Sequence, residues 1–104
     1  MLLTGCGKKL DEDHIACKNA YSLIDEGAIL VDVRSADEYK EKHLDKAINI
    51  PLDYLEGTIK VKTKSLDDKI IVYCRSGNRS SEAMKILKDL GYKNIYDLGA
   101  MNNC

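Results

Sequence analysis

Cys74 closes an apolar run, Ile70-Ile71-Val72-Tyr73, and opens a polar, turn-prone one, Arg75-Ser76-Gly77-Asn78-Arg79. In an open parallel α/β sheet, ligands gather beyond the carboxyl ends of the strands. A helix is expected to start about five residues after Cys74. The N–H groups of its first turn and their partial positive charge would face the intervening loop. A glycine in such a loop lets successive backbone N–H groups turn inward as an anion nest. Arg75 and Arg79 add fixed positive charge. Together these features favour a nucleophilic thiolate and would hold a negative sulfur species or an incoming oxyanion. A small buried residue at a strand end is the bland alternative. It accounts for the cysteine but not for the Cys-Arg-Ser-Gly-Asn-Arg loop around it.

The elements that must position this loop can be read from hydrophobic periodicity. Ala16, Ala20, Leu23 and Ile24 fall at i, i+4, i+7 and i+8, the face of a helix that begins near His14 and stops at Gly27. Ala28 to Val33 reads as a buried parallel strand. Ser35-Ala36-Asp37-Glu38 forms a capping box that starts a short helix running to about Lys42. Ala47 to Ile50 is a second strand, stopped by Pro51; residues 52–68 are ambiguous, with Leu52, Tyr54 and Leu55 suited to a short helix and Ile59 and Val61 weakly alternating. Ile70 to Cys74 is the clearest strand. After the loop, Ala83, Ile86, Leu87 and Leu90 mark an amphipathic helix ending at Gly91, and Ile95 to Leu98 is a last strand. Strands alternating with helices imply parallel pairing and a layered α/β domain.

A chain of 104 residues fits one domain. It buries roughly 65% of its unfolded surface, enough for one core. The reading divides it into a flexible lead, 1–13, and a domain, 14–104. Net charge is −1 and the aromatic residues are all tyrosine, so nucleic acid is not an expected partner. Cys6, Cys17, Cys74 and Cys104 include no C-x-x-C pair and no histidine at zinc-ligand spacing, so no metal is expected. Their scattered spacing in a domain with its own core argues against a disulfide scaffold. Cys17 is read as core or half-buried filler. Cys104 is read as part of a frayed tail, with a second reactive thiol as the alternative.

No run of 18 apolar residues exists to span a membrane. Leu2-Leu3-Thr4-Gly5-Cys6 resembles a bacterial lipobox, the stretch that precedes a lipidated cysteine. It predicts lipidation at Cys6 and an exported, membrane-anchored protein. The alternative is a tail with an incidental cysteine on a cytoplasmic domain.

The chain resembles the rhodanese family at three places in consistent order. Cys74, Gly77 and Arg79 match the family's Cys-x-x-Gly-x-Arg loop. Val31-Asp32-Val33-Arg34 followed by Glu38-Tyr39 matches a second signature. Lys42-His43-Leu44-Asp45-Lys46-Ala47-Ile48-Asn49-Ile50-Pro51 corresponds to a third, with Lys42 and Lys46 where the family usually has glycine. That departure bears on local turn geometry, not on the chemistry. The likeness runs from about Ile15 to Leu98.

The resemblance implies a three-layer α/β rhodanese-like fold with a mainly parallel five-stranded sheet flanked by helices. It implies a cofactor-free sulfurtransferase. Cys74 would take a sulfane sulfur from thiosulfate, a polysulfide or another persulfide and pass it to a thiol or cyanide. The backbone N–H groups of Arg75, Ser76, Gly77, Asn78 and Arg79 would cradle the sulfur. The side chains of Arg75 and Arg79 would hold the donor anion or brace the loop. Asp32 and Arg34 would support the site, ion-paired with loop or helix charges. His43 would be a structural hydrogen-bonder, since a thiolate attacking sulfur needs no base. Two other classes remain: a persulfide carrier or regulatory binding module, and a cysteine-dependent phosphatase or arsenate reductase. The latter use Cys-x5-Arg loops, whereas four residues separate Cys74 from Arg79.

Overall fold

A computed structural model describes residues 13–104. The possible lipobox, Cys6 and most of the lead lie outside the described residues. The element order is α1 (Cys17–Asp25), β1 (Ile29–Asp32), α2 (Ala36–Glu41), β2 (Ile48–Asn49), α3 (Leu52–Lys62), β3 (Lys69–Cys74), α4 (Asn78–Asp89) and β4 (Asn94–Ala100), followed by a 3-10 turn, Met101–Asn103. The strands lie in the order β2-β1-β3-β4, and every pair is parallel. The expected five strands are therefore four among the described residues. Ahead of α1, His14 makes one isolated parallel bridge to Asp97. The backbone bonds Asp97 N–H to Asp13 C=O (2.7 Å) and Ile15 N–H to Asp97 C=O (3.0 Å) flank it. The chain turns into α1 two residues later, so this pairing stops before it becomes a strand. For the same reason α1 begins at Cys17 rather than near His14.

The strand alternation builds two cores. Ile70, Val72 and Cys74 of β3 face one side, with Val31, Val33, Leu55, Ile59, Ala83 and Leu87. Ile71 and Tyr73 face the other, with Ala20, Leu30, Ala47 and Leu98. Helices α3 and α4 cover the first face and α1 the second, which gives the three layers. Burial on both sides is why β3 reads as an unbroken apolar run. Residues 52–68 resolve into α3 and a turn that leads into β3; Leu55 and Ile59 of α3 are buried while Tyr54 and Val61 are exposed.

Gly27 and Gly91 end α1 and α4 with φ of 109° and 100°, a backbone region that favours glycine. Lys46 shares that region at φ 69°. It stands where the resembled family usually has glycine, so the substitution leaves the turn in place and strains it. Lys42, the other such position, is simply extended at φ −168°.

A disulfide joins Cys17 to Cys104, with Cα atoms 5.4 Å apart and a sequence separation of 87. This corrects the reading of both cysteines. Cys104 is not frayed but follows the 3-10 turn, its N–H bonded to Met101 C=O at 3.1 Å. The two meet because α1 and the turn after β4 pack on the same face of the sheet, a proximity that spacing along the chain does not reveal.

Candidate active site

Strand β3 carries Cys74 to the carboxyl edge of the sheet, fully buried and outside any disulfide. Gly77 then takes φ 101°, which reverses the chain and makes it the N-cap of α4. An added Cβ at Gly77 would meet nothing within 4 Å, so backbone conformation and not space demands glycine. The reversal returns two N–H groups to the sulfur. Gly77 N–H donates to Cys74 Sγ at 2.9 Å and Ser80 N–H at 3.3 Å. Ser80 lies in the first turn of α4, where N–H groups have no partner within the helix. A negative charge on this sulfur would meet two oriented donors and the positive end of a helix. Ser80 Oγ–H donates to Gly77 C=O at 3.1 Å and closes the turn.

Gly77 is a donor from the expected cradle. Ser80 lies one residue beyond it. The signal for Ser80 was present in the sequence: any helix starting near Asn78 leaves the N–H of its third residue free to point back. Arg75, Ser76 and Asn78 are exposed around the loop. Arg79 reaches Glu38 in a two-pronged pair, Nη1 to Oε1 at 2.7 Å and Nη2 to Oε2 at 3.1 Å. The pair ties the loop to α2, and Cys74 lies within electrostatic reach of the same guanidinium. Glu38 also closes the capping box of α2, accepting from Ser35 N–H at 3.0 Å. Arg79 first, then Ser35, hold the Glu38 carboxyl down at about 2. The same pair raises the Arg79 guanidinium.

Asp32 and Arg34 do not form the expected ion pairs with loop or helix charges. They pair with each other, Arg34 Nη2 to Asp32 Oδ2 at 2.8 Å, with the Asp32 side chain fully buried and Arg34 nearly so. Arg34 Nη2 also donates to Lys42 C=O at 2.5 Å. Tyr73 Oη–H donates to Asp32 Oδ2 at 2.7 Å and accepts from Leu44 N–H at 3.0 Å. Burial first, and the neighbouring Asp32 carboxylate, push the Tyr73 hydroxyl well above its ordinary range. This network ties the residue before Cys74 to the 42–44 segment beside the site. Tyr73 was not singled out from sequence, where it reads as one more apolar residue of a strand. Asn49 clamps the same region through Nδ2 bonds to Asp32 C=O and Arg34 C=O, each 3.0 Å. His43 stacks on Tyr39 with ring centroids 3.7 Å apart, and its Nδ1 lies 2.7 Å from Tyr39 C=O. That is a structural position, as expected. A cavity of about 440 Å³ lies at this edge, lined by Arg34, Glu38, Glu41, Lys42, Arg75, Met101 and Asn102.

The rhodanese-like domain family matches residues 17–102. The chain belongs to that family. It is 33% identical to thiosulfate sulfurtransferase PspE of Escherichia coli over 70% of each chain. A putative mitochondrial thiosulfate sulfurtransferase of Schizosaccharomyces pombe is 37% identical over 68% of this chain and 58% of its own length. The chain therefore spans little more than half of that relative. Among solved structures, a rhodanese with anions from E. coli superposes with a TM-score of 0.72 at 31% identity, covering 75% of this chain and 92% of that one. The human single-domain sulfurtransferase TSTD1 superposes at 0.76 and 26% identity, covering 88% and 93%. The rhodanese-like fold is thus shared over nearly the whole described chain.

Proposed function

We propose that this domain is a sulfurtransferase that carries sulfane sulfur as a persulfide on Cys74. The observation that carries the reading is the buried, free Cys74 Sγ accepting Gly77 N–H and Ser80 N–H at the mouth of α4. With thiosulfate as donor, the thiolate attacks the outer sulfur, a Cys–S–S bond forms, and sulfite leaves with the electron pair of the broken S–S bond. The negative charge moves from Sγ to the terminal sulfur, about 2 Å further out. An acceptor thiolate or cyanide then takes that sulfur and regenerates the thiolate. No proton transfer is required, which suits a site whose histidine is engaged elsewhere. The exposed Arg75 supplies positive charge beside the cavity that a donor anion would cross. The names of the relatives support thiosulfate as donor. The four-residue spacing from Cys74 to Arg79 favours this reading over phosphatase chemistry.

The test is intact-mass measurement after incubation with thiosulfate or polysulfide. A gain of roughly 32 Da, reversed by cyanide or dithiothreitol and absent in a folded Cys74→Ser variant, is the expected result. Sulfur transfer retained by that variant would overturn the mechanism. The Cys17–Cys104 disulfide supports placing the protein in an oxidising, extracytoplasmic compartment, consistent with lipidation at Cys6. Mass analysis of the protein from its native membranes, with or without a lipid on Cys6, tests this placement.

A further inference from the structure

The register of β3 with β4 places Ala100 opposite Cys74. The four residues after Ala100 therefore begin beside the end of the strand that carries the nucleophile. They do not run off into solvent. Asn103 Nδ2 donates to Leu98 C=O at 2.8 Å, and Cys104 N–H to Met101 C=O at 3.1 Å. The disulfide then fixes the end of the turn to α1. Met101 packs against the apolar face formed by α1 and the sheet. Met101 and Asn102 form one wall of the cavity of about 440 Å³ that Arg34, Lys42 and Arg75 complete. With Cys104, Lys42 and Leu44 they also line an adjoining cavity of about 460 Å³. The rim of the candidate site thus includes a short segment that a covalent bond holds down. That bond can be reached: Cys104 is exposed, while Cys17 is half-buried.

We propose that the Cys17–Cys104 disulfide is a redox-sensitive pin on the rim of the Cys74 site, closed when oxidised and opened by a dithiol reductant. The proposal rests on the reading of Cys74 as the reacting group. In the opening step, one thiolate of the dithiol attacks an S–S sulfur and forms a mixed disulfide, releasing the other cysteine as a thiolate that takes up a proton. The second thiol closes on the mixed disulfide and releases the remaining cysteine. Two electrons and two protons pass to the pair, and the reductant leaves as its own disulfide. Without the pin, the turn keeps only its few hydrogen bonds and Met101 packing, so it opens locally while the sheet stays intact. Cys74 is fully buried, so its reaction with any reagent depends on such rim openings. The pin therefore sets how readily donors and acceptors reach the sulfur.

The experiment compares the oxidised chain with a Cys17→Ser/Cys104→Ser double variant. The rate of Cys74 alkylation by iodoacetamide is read by peptide mass, with amide hydrogen exchange alongside. The expected result is alkylation about three- to tenfold faster in the double variant, with faster exchange at 101–104 and unchanged protection in β1 and β3. Equal alkylation rates would overturn the proposal, as would faster exchange spread evenly over the sheet, which marks a plain structural staple. If circular dichroism shows that the double variant does not fold, Met101→Ala with the disulfide intact decides. It lowers the same wall and should speed alkylation, and an unchanged rate overturns the proposal. Alkylation needs no sulfur donor, so the two readings fail separately. A disulfide-dependent rate without persulfide formation sinks only the sulfur-transfer reading. Persulfide formation with a disulfide-independent rate sinks only the pin.

Discussion

Replacing Glu38 by glutamine isolates the charge that links α2 to the Cys74–Arg79 loop. Glutamine is also accepted at the third position of a capping box, so the bond from Ser35 N–H survives and the main loss is the ion pair with Arg79. A carboxyl held at about 2 instead of 4.5 corresponds to roughly 3 kcal/mol. That is a ceiling. Part of it belongs to Ser35, the Glu38 side chain is 24% exposed and that of Arg79 37%. Solvent screening of such a pair leaves about 1 kcal/mol. For a domain near 100 residues this lowers Tm by about 4–8 °C at neutral pH. The pair stabilises the fold fully above pH 4.5, and its contribution fades as pH falls through about 2. The stability gap between wild type and Glu38→Gln should therefore be widest near neutrality and close below pH 2. Arg79 adjoins Ser80, whose N–H reaches Cys74 Sγ, so loosening it should also slow persulfide formation by about three- to tenfold. Thermal melts across pH, with the rate of mass gain from thiosulfate at pH 7, measure both effects. A stability gap that stays constant from pH 7 to pH 2 would refute the electrostatic account. An unchanged rate would refute the link to the loop.

Tyr73→Phe removes a donor from buried Asp32 and orphans Leu44 N–H, and should lower stability by about 2 kcal/mol in urea unfolding; a loss under 0.5 kcal/mol would show the network to be dispensable. Lys46→Gly relieves a left-handed backbone at a non-glycine residue, and a gain of about 0.5–1 kcal/mol in the same assay is expected; destabilisation would show that the turn is not strained. Opening the Cys17–Cys104 disulfide releases a loop of nearly the whole described chain, for which chain entropy gives up to about 4.6 kcal/mol, with 2–4 kcal/mol typical. The denaturation midpoint with and without dithiothreitol reports it, and coincident midpoints would deny the bond any role in stability.

What the sequence made legible here is what short-range pattern can encode. The Cys74 to Arg79 loop, the Ser35–Glu38 capping box and the β-rich run before Cys74 are each local, and each stands where the pattern placed it. The full length of α3 escaped because only Leu55 and Ile59 are buried while Tyr54, Gly57 and Val61 interrupt the apolar stripe. The support of the site is non-local. Asp32, Tyr73 and Leu44 meet only because β1 and β3 pair in a register that sets Asp32 beside Tyr73. That register also decides the fate of Arg34: once Asp32 is buried beside the sheet edge, the nearest guanidinium must follow to neutralise it, and a buried carboxylate without a partner would be costly. The same logic explains the cysteines. Their spacing argues against a scaffold of disulfides, and the one bond among the described residues is no scaffold. It is a tie between two chain segments that the sheet brings to one face, the first helix and the turn after the last strand. Of the two features that flank the reacting sulfur, one is written in six consecutive residues and the other only in the fold. Substitutions in the first should change the chemistry, and changes in the second should alter how often the sulfur is reached.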